Sequence, residues 1–301
     1  MIACDLGSNT LRIAQFDTFT CKRTRCFEKI VRTAKDLHLT RCIGEEAQTN
    51  ILNALQEASS LFDFAHEPSF CVTTEAMRVA SNAHEVLALI KKEFGLSFII
   101  ISGEEEASYT ALAIEHALRR EGLCDDTYVL FDLGGGSTEI TLCYQYVKKS
   151  RSFPFGIVTT AERFKEHLDE NISSLLSMSD SFLKEEKNLH KTYKQLIATA
   201  GTPTTVAAFL QGLDYEHYAP EKVNGKCLHV NDFDAALKEL SAMPLHVAER
   251  YTGTNRRDLV IVGIVLVKGI MKKLGFESCI VMDDGLREGV AISNCNKAVS
   301  S

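Results

Sequence analysis

Two segments of this chain, residues 2–16 and 129–144, follow the same pattern. Each has an apolar strand, an Asp-Leu-Gly sequence, a short polar turn and a second apolar strand. The first turn reads Gly-Ser-Asn-Thr from residue 7, and the second reads Gly-Gly-Gly-Ser-Thr from residue 134. An internal repeat of this kind predicts a duplicated domain, with equivalent hairpins facing each other across a cleft.

Short apolar segments alternate with amphipathic stretches along the chain, which predicts an α/β fold. We predict strands at residues 2–4, 11–16, 70–73, 98–101, 128–131, 140–144, 197–199 and 279–282. Capping boxes predict helix starts at Asn82 with Glu85 and at Ser102 with Glu105. Further helices are predicted near residues 45–62, 159–169, 203–211, 231–243, 258–274 and 286–293.

The length of 301 residues suits two domains. We place the boundary in the polar segment 119–126, so that residues 1–122 form the first domain and residues 123–301 the second. The last helix of the second domain is expected to pack back on the first.

The net charge of −7 argues against a surface that coats nucleic acid. The chain opens without a basic, apolar leader pattern, and its most apolar stretch, residues 259–270, is too short to span a bilayer. The ten cysteines show no Cys-x-x-Cys spacing, and several lie in apolar strand-like runs. We therefore expect a cytoplasmic protein with reduced, mostly buried thiols and no membrane partner.

The two polar turns are predicted to bind phosphate, because a strand that turns through Gly and Ser or Thr directs successive backbone N–H groups to one point. For one turn alone an ordinary hairpin is the better interpretation, but two matching turns favour phosphate. The Walker-type phosphate loop is absent from the sequence. The predicted phosphate-binding residues are Gly7, Ser8, Asn9, Thr10, Gly134, Gly135, Gly136, Ser137 and Thr138.

Three carboxylates at the ends of these hairpins, Asp5, Asp132 and Glu139, are predicted to hold Mg²⁺, which prefers oxygen ligands and shares them with phosphate. The alternative for Glu139 is a solvated side chain on the outer face of its strand.

Charged residues next to the first turn complete the candidate site. Arg78 follows a predicted strand and is suited to grip phosphate oxygens, although a surface salt bridge is the simpler interpretation of an arginine alone. Glu104, Glu105 and Glu106 begin a helix, where acidic residues favour the helix dipole. Glu105 completes the capping box with Ser102, whereas Glu106 points elsewhere and is available for chemistry.

In this order the motifs resemble the exopolyphosphatase and guanosine pentaphosphate phosphatase (Ppx/GppA) family, over nearly the whole chain. The resemblance rests on the two Asp-Leu-Gly turns, residues 74–82, Ser-Gly-Glu-Glu-Glu-Ala at 102–107 and four further segments. Those segments are residues 153–156, 200–205, 256–258 and 284–289.

The resemblance implies two actin-like (ribonuclease H-like) domains of the actin and sugar-kinase superfamily, and a water nucleophile. It implies Glu106 as the catalytic base, Arg78 as the phosphate arginine and a possible homodimer. The chain departs from the family at Thr10, where Ser is common, and at Glu75, whose charge is expected to weaken the grip of Arg78 on phosphate. The extra C-terminal domains of longer members are expected to be missing.

The sequence thus predicts a Mg²⁺-dependent hydrolase that releases the terminal phosphate of polyphosphate or converts guanosine pentaphosphate to tetraphosphate. The motifs do not choose between these two substrates. Two alternatives are an alarmone- or nucleotide-binding sensor with little turnover, and a phosphotransferase of the sugar-kinase type.

Overall fold

The computed structural model describes residues 1–123, 126–145, 147–164, 167–184 and 192–298. Contacts divide the chain into two compact units, residues 1–113 with 285–301, and residues 114–284. The chain passes from the first unit to the second within one helix, a few residues before the boundary segment predicted at 119–126. Residues 124 and 125 of that segment lie outside the described residues.

The first unit is built on a five-stranded sheet in the order β3-β2-β1-β4-β5. Its strands are β1 (Ile2–Leu6), β2 (Thr10–Phe16), β3 (Arg23–Ile30), β4 (Ser69–Thr73) and β5 (Phe98–Ile100). Its helices are α1 (Leu37–Thr40), α2 (Glu45–Ala58), α3 (Glu75–Val79), α4 (Ala83–Phe94), the first part of α5 (Gly103–Arg120) and the last helix of the chain, α14 (Leu286–Ala298). β1 is antiparallel to β2 and parallel to β4, so the first hairpin leads into a parallel half-sheet.

The second unit repeats this topology in a six-stranded sheet, β8-β7-β6-β9-β11-β10. Its strands are β6 (Thr127–Leu133), β7 (Thr138–Tyr144), β8 (Val147–Phe153), β9 (Gln195–Thr199), β10 (Lys226–His229) and β11 (Ser278–Val281). Its helices are α6 (Ile157–Phe164), α7 (Leu168–Ser177), α8 (Asp180–Leu183), α9 (Gly201–Phe209), α10 (Pro220–Val223), α11 (Val230–Ala242), α12 (Leu245–Thr252) and α13 (Arg257–Leu274). Three antiparallel strands followed by two parallel ones occur in both sheets, which confirms the predicted duplicated α/β fold.

Each unit has its own core. In the second unit, the long apolar helix α13 contributes buried side chains such as Val260, Ile264 and Val267 to the core. In the first unit, α14 packs Leu286, Val290 and Ala291 against β1 and β2. No helix in the described part of the chain is long and apolar enough to cross a membrane.

Two local predictions need correction. Asn82 does not cap α4, because its amide group is used elsewhere: its Oδ1 accepts from Ile43 N–H at 2.8 Å and its Nδ2 donates to the Ile43 carbonyl. The expectation of reduced thiols is wrong for Cys21 and Cys295, which form a disulfide within the first unit. The two residues are 274 positions apart, so their spacing gave no sign of the pairing.

Candidate active site

In the second unit, the glycine turn after β6 is held by helix α6. The backbone N–H groups of Ile157 and Val158 donate to the carbonyls of Gly134 and Gly135 at 2.9 and 2.8 Å. A trans peptide places its N–H opposite its C=O, so the next two N–H groups, of Gly135 and Gly136, point away from α6. Neither has a protein acceptor among the described residues. Adjacent, similarly directed N–H groups of this kind suit an anion.

Gly156 permits this close contact between the turn and α6. A Cβ at Gly156 would lie 2.6 Å from the backbone C and O of Gly135, a distance that real Cβ atoms do not reach. The hydroxyl of Thr138 donates to the Phe155 carbonyl at 2.7 Å. The Thr138 hydroxyl hydrogen is thus already donated within the protein. This bond joins the end of the glycine turn to Phe155, next to Gly156.

The two carboxylates of this hairpin lie in one row across the sheet. Asp132 on β6 is the register partner of Glu139 on β7, and Glu139 is the register partner of Ser152 on β8. Glu139 is only 2% exposed and accepts a hydrogen bond from Ser152 Oγ at 2.6 Å. This burial excludes the solvated alternative for Glu139.

The first hairpin has a turn of the same form. Gly7 N–H donates to the Thr10 carbonyl at 3.0 Å, as Gly134 N–H does to the Ser137 carbonyl. The Ser8 carbonyl accepts from the N–H of Ala34 at 2.8 Å, and this directs the N–H of Asn9 away from that segment. The two predicted phosphate turns are therefore alike in backbone structure.

The carboxylates of the two hairpins differ in their cross-strand neighbours. Asp5, 8% exposed, is opposite Arg12, and Arg12 is opposite Glu28, with which it forms an ion pair at 3.3 Å. Asp5 therefore has a cation of the protein as its register partner, whereas Asp132 has a second carboxylate.

Arg78 and Glu106 are in direct contact in the first unit. Arg78 Nη1 donates to Glu106 Oε2 at 3.0 Å and to the Ile101 carbonyl at 2.7 Å. Its Nε and Nη2 donate to Glu75 Oε2 at 3.1 and 2.9 Å. Burial lowers the pKa of Arg78, but the carboxylates of Glu106 and Glu75 outweigh it, so the pKa is raised and the guanidinium stays charged.

Glu105 and Glu106 have separate environments, as predicted. Glu105 Oε2 accepts from Ser102 N–H at 2.8 Å, and Ser102 Oγ accepts from Glu105 N–H at 3.1 Å, which confirms the capping box. The hydrogen bond from the Ser102 N–H, together with the Ser102 side chain, lowers the pKa of the Glu105 carboxylate. The Glu106 side chain is 12% exposed and lies beside Arg78 instead.

Comparison with known proteins agrees with these motifs. The model of the Ppx/GppA phosphatase family matches residues 24–298. The chain belongs to the Ppx/GppA phosphatase family.

Three curated proteins are similar to this chain over most of its length. Exopolyphosphatase 2 of Mycobacterium tuberculosis is 26% identical and is matched over 97% of either chain. A guanosine-5'-triphosphate,3'-diphosphate pyrophosphatase of Pseudoalteromonas translucida is 24% identical over 96% of this chain. A bifunctional 3-dehydroquinate synthase/phosphatase of Fusobacterium nucleatum is 25% identical over 93% of this chain. The chain spans 58% of the length of the second relative and 44% of the third.

Solved structures of Ppx/GppA proteins share the fold. A family member from Aquifex aeolicus is 27% identical, with a TM-score of 0.75 over 100% of this chain and 98% of its own. An exopolyphosphatase from Cytophaga hutchinsonii, 23% identical, gives a TM-score of 0.84 over 98% of this chain and 97% of its own.

The fit of the site to Mg²⁺ depends on the Asp132–Glu139 pair. Within the described residues there is no group of three or more His, Cys, Asp or Glu side chains suited to one metal ion. Mg²⁺ is commonly held by one or two carboxylates, with water and substrate phosphates completing its shell. Two opposed carboxylates beside a phosphate-type turn fit that requirement for a Ppx/GppA protein.

Sequence reasoning did not identify the residues that support the site. Gly156 ends the Phe-Pro-Phe-Gly motif at 153–156 and Ser152 precedes it, but the sequence pattern assigns no role to either residue. The sequence places the charge of Glu75 near Arg78, but it does not predict that Arg78 Nε and Nη2 both donate to Glu75 Oε2. The spacing of Glu75 and Arg78, three residues apart in α3, is the signal that points to this contact.

Proposed function

We propose that this chain is a phosphohydrolase that removes the terminal phosphate of inorganic polyphosphate, of guanosine pentaphosphate, or of both. Membership of the Ppx/GppA phosphatase family supports hydrolysis of a phosphate ester or anhydride. The named activities of the Mycobacterium and Pseudoalteromonas relatives support the phosphoanhydride substrates.

The observation that carries the proposal is the position of Asp132 opposite Glu139, next to the free N–H groups of the glycine turn. Like charges directly opposite in a sheet repel each other. A hard cation between them removes that repulsion, and the same cation attracts the phosphate oxygens that the N–H groups suit. The two carboxylates, a cation bound between them and the N–H groups of the glycine turn together suit one class of ligand, a phosphoryl group.

Mg²⁺ is the proposed cofactor. Asp132 and Glu139 would hold it, because their carboxylates are opposed on β6 and β7. When bound, it would neutralise charge on the oxygens of the transferred phosphoryl group.

The remaining steps belong to side chains and backbone of this chain. The N–H groups of Gly135 and Gly136 donate to phosphate oxygens and stabilise the charge that develops on them. Glu106 accepts a proton from the attacking water, and Arg78 holds the Glu106 carboxylate by a charged hydrogen bond. Positioning and charge stabilisation account for most of the rate in such phosphoryl transfers.

A side-by-side assay tests this function. Purified protein is incubated with long polyphosphate, short polyphosphate or guanosine pentaphosphate, with Mg²⁺ and without any acceptor, and phosphate release is measured. Release from at least one substrate is expected, and it should stop in excess EDTA. Tight binding without release would favour the sensor, and phosphate transfer only after a sugar is added would favour the phosphotransferase.

A further inference from the structure

Arg78 is tied to three different parts of the first unit. Its Nε and Nη2 donate to Glu75 in α3, and its Nη1 donates both to the main-chain carbonyl of Ile101, the residue after β5, and to Glu106 in α5. The side chains of Arg78, Glu75 and Glu106 are 18%, 21% and 12% exposed. A side chain held at this many points has little freedom to move.

The edge of the guanidinium that best grips an oxyanion is already in use. The Nε and Nη2 edge presents two parallel N–H groups, the arrangement that carboxylates and phosphates share. In this structure both N–H groups point to one atom, Oε2 of Glu75. These contacts leave Arg78 a single N–H, on Nη2, for a phosphate oxygen.

We propose that Glu75 is a positioning residue, which fixes Arg78 so that Arg78 in turn orients the Glu106 carboxylate. The inference rests on the proposed function, because it assumes that Glu106 activates the water. In this proposal Arg78 mainly orients the base, Glu106, and does not mainly bind the substrate. Glu75 then affects the rate of the reaction through Arg78.

The local structure supports this chain of contacts. Glu75 and Arg78 are one helical turn apart, so their side chains meet on the same face of α3. Ile101 is itself fixed by the hydrogen bond from its N–H to the Thr73 carbonyl at 3.0 Å. Thr73 is the last residue of β4, just before α3, and Ile101 lies just before α5. The hydrogen bond from Arg78 to the Ile101 carbonyl therefore ties α3 to the segment that leads into α5. Without Glu75, only the Ile101 carbonyl and Glu106 would hold the guanidinium.

Kinetics of two substitutions of Glu75 separate its geometry from its charge. Glu75→Met keeps the length of the side chain and removes the acceptor oxygens, whereas Glu75→Gln removes the charge and keeps an acceptor for Arg78. Glu104→Met is the matched control, because Glu104 is an exposed acidic residue in the first turn of α5 that does not contact Arg78.

For Glu75→Met we expect kcat to fall about 10- to 100-fold, the size of effect that a small misplacement of a catalytic group produces. KM should stay within about 2-fold of the wild-type value, since substrate binding is not altered. Glu75→Gln should restore kcat to within about 3-fold of wild type, and Glu104→Met should match wild type, with melting temperatures confirming that each variant is folded. An unchanged kcat in Glu75→Met would overturn the inference. A several-fold lower KM would also overturn it, because Glu75 would then be competing with phosphate for Arg78.

Crystal structures of the same variants provide a test that needs no turnover. In Glu75→Met, Arg78 Nη1 is expected to move beyond about 3.5 Å from Glu106 Oε2, and in Glu75→Gln the contact should remain. An intact Arg78–Glu106 contact in Glu75→Met would overturn the positioning role. If the wild-type protein releases phosphate from no substrate, the proposed function fails, and these structures still decide whether Glu75 positions Arg78.

Discussion

Asp132 on β6 lies directly opposite Glu139 on β7, whereas the equivalent carboxylate of the first hairpin, Asp5, lies opposite Arg12. The duplication has therefore kept the backbone of both turns and changed the charge of one cross-strand neighbour. We infer that the cation-binding capacity resides in the second hairpin.

Asp132→Asn should weaken metal dependence. We expect the Mg²⁺ concentration for half-maximal activity to rise by more than about 10-fold, because a carboxylate ligand is lost. In EDTA the same variant should be more stable than wild type by about 0.2 to 1 kcal/mol, since the repulsion from Glu139 is relieved. Metal titration of activity and urea unfolding in EDTA measure the two effects. Glu28→Gln, in the first sheet, serves as the control, and an equal metal response in both variants would contradict the assignment.

Gly156→Ala should damage the glycine turn without touching a charged group. The new Cβ would lie 2.6 Å from the Gly135 backbone, so the turn or α6 must shift, at a cost of about 1 to 3 kcal/mol. The N–H groups of Gly135 and Gly136 should then lose their alignment, and kcat/KM should fall. Gly44→Ala is the matched control, because no atom lies within 4 Å of the Cβ position there. Equal stability and activity of the two variants would refute the close contact.

Glu288 should make the first unit sensitive to acid. It is buried and accepts from Arg287 Nε at 2.8 Å and from Arg23 Nη1 at 2.9 Å. Burial raises the pKa of Glu288, but Arg287 and Arg23 outweigh it and lower the pKa to about 2. A lowered folded-state pKa means that this contribution to stability is present above the ordinary value of 4.5 and is lost as the pH falls toward 2.

Glu288→Gln should therefore cost about 3 to 5 kcal/mol at pH 7, because two arginines lose their buried partner. The difference from wild type should shrink as the pH is lowered from 5 to about 2. Urea unfolding across this pH range measures it, with the exposed Glu104→Gln as control. A difference that does not vary with pH would show that packing, and not ionisation, explains the loss.

The parts of the fold that the sequence predicts well are those with buried, apolar strands. The sequence of each such strand is either continuously apolar or alternates apolar and polar residues, because both faces of the sheet are covered; these strands are β1, β2, β6 and β7. The Asp-Leu-Gly turns mark where β1 and β6 end. The sequence pattern does not predict the strands β3, β8 and β10. They lie at sheet edges and are mostly polar and exposed, so they lack a clear hydrophobic pattern.

In the candidate site, the sequence predicts the local contact of Ser102 with Glu105 but not the contacts between residues that are far apart in the chain. The Ser102–Glu105 capping box depends on residues three apart, and the structure shows both of its hydrogen bonds. The contact of Arg78 with Glu106 joins residues 28 apart, and the partner of Asn82 is 39 residues away. Such contacts depend on how the strands and helices of the first unit pack together. The spacing of residues in the sequence does not predict this packing.

The last prediction separates the neighbouring residues Glu105 and Glu106. Glu105 is exposed and its carboxylate accepts from Ser102 N–H. Glu105→Gln keeps an acceptor oxygen for this bond, so the variant should lose little stability and the folded protein should keep its turnover. Glu106 is held by Arg78 and has no part in the cap. A general base typically contributes about 10² to 10⁴ in rate, so Glu106→Gln should reduce kcat by this order.

Binding of substrate and the melting temperature should change little in Glu106→Gln, because the amide has the same size and can still accept a hydrogen bond from Arg78. Single-turnover phosphate release, substrate binding and thermal unfolding of both variants provide the measurements. If Glu105→Gln loses kcat and Glu106→Gln keeps it, the base is Glu105 and the contact with Arg78 is structural. If both variants keep kcat, another group activates the water, and the Arg78–Glu106 pair serves only to join α3 to α5.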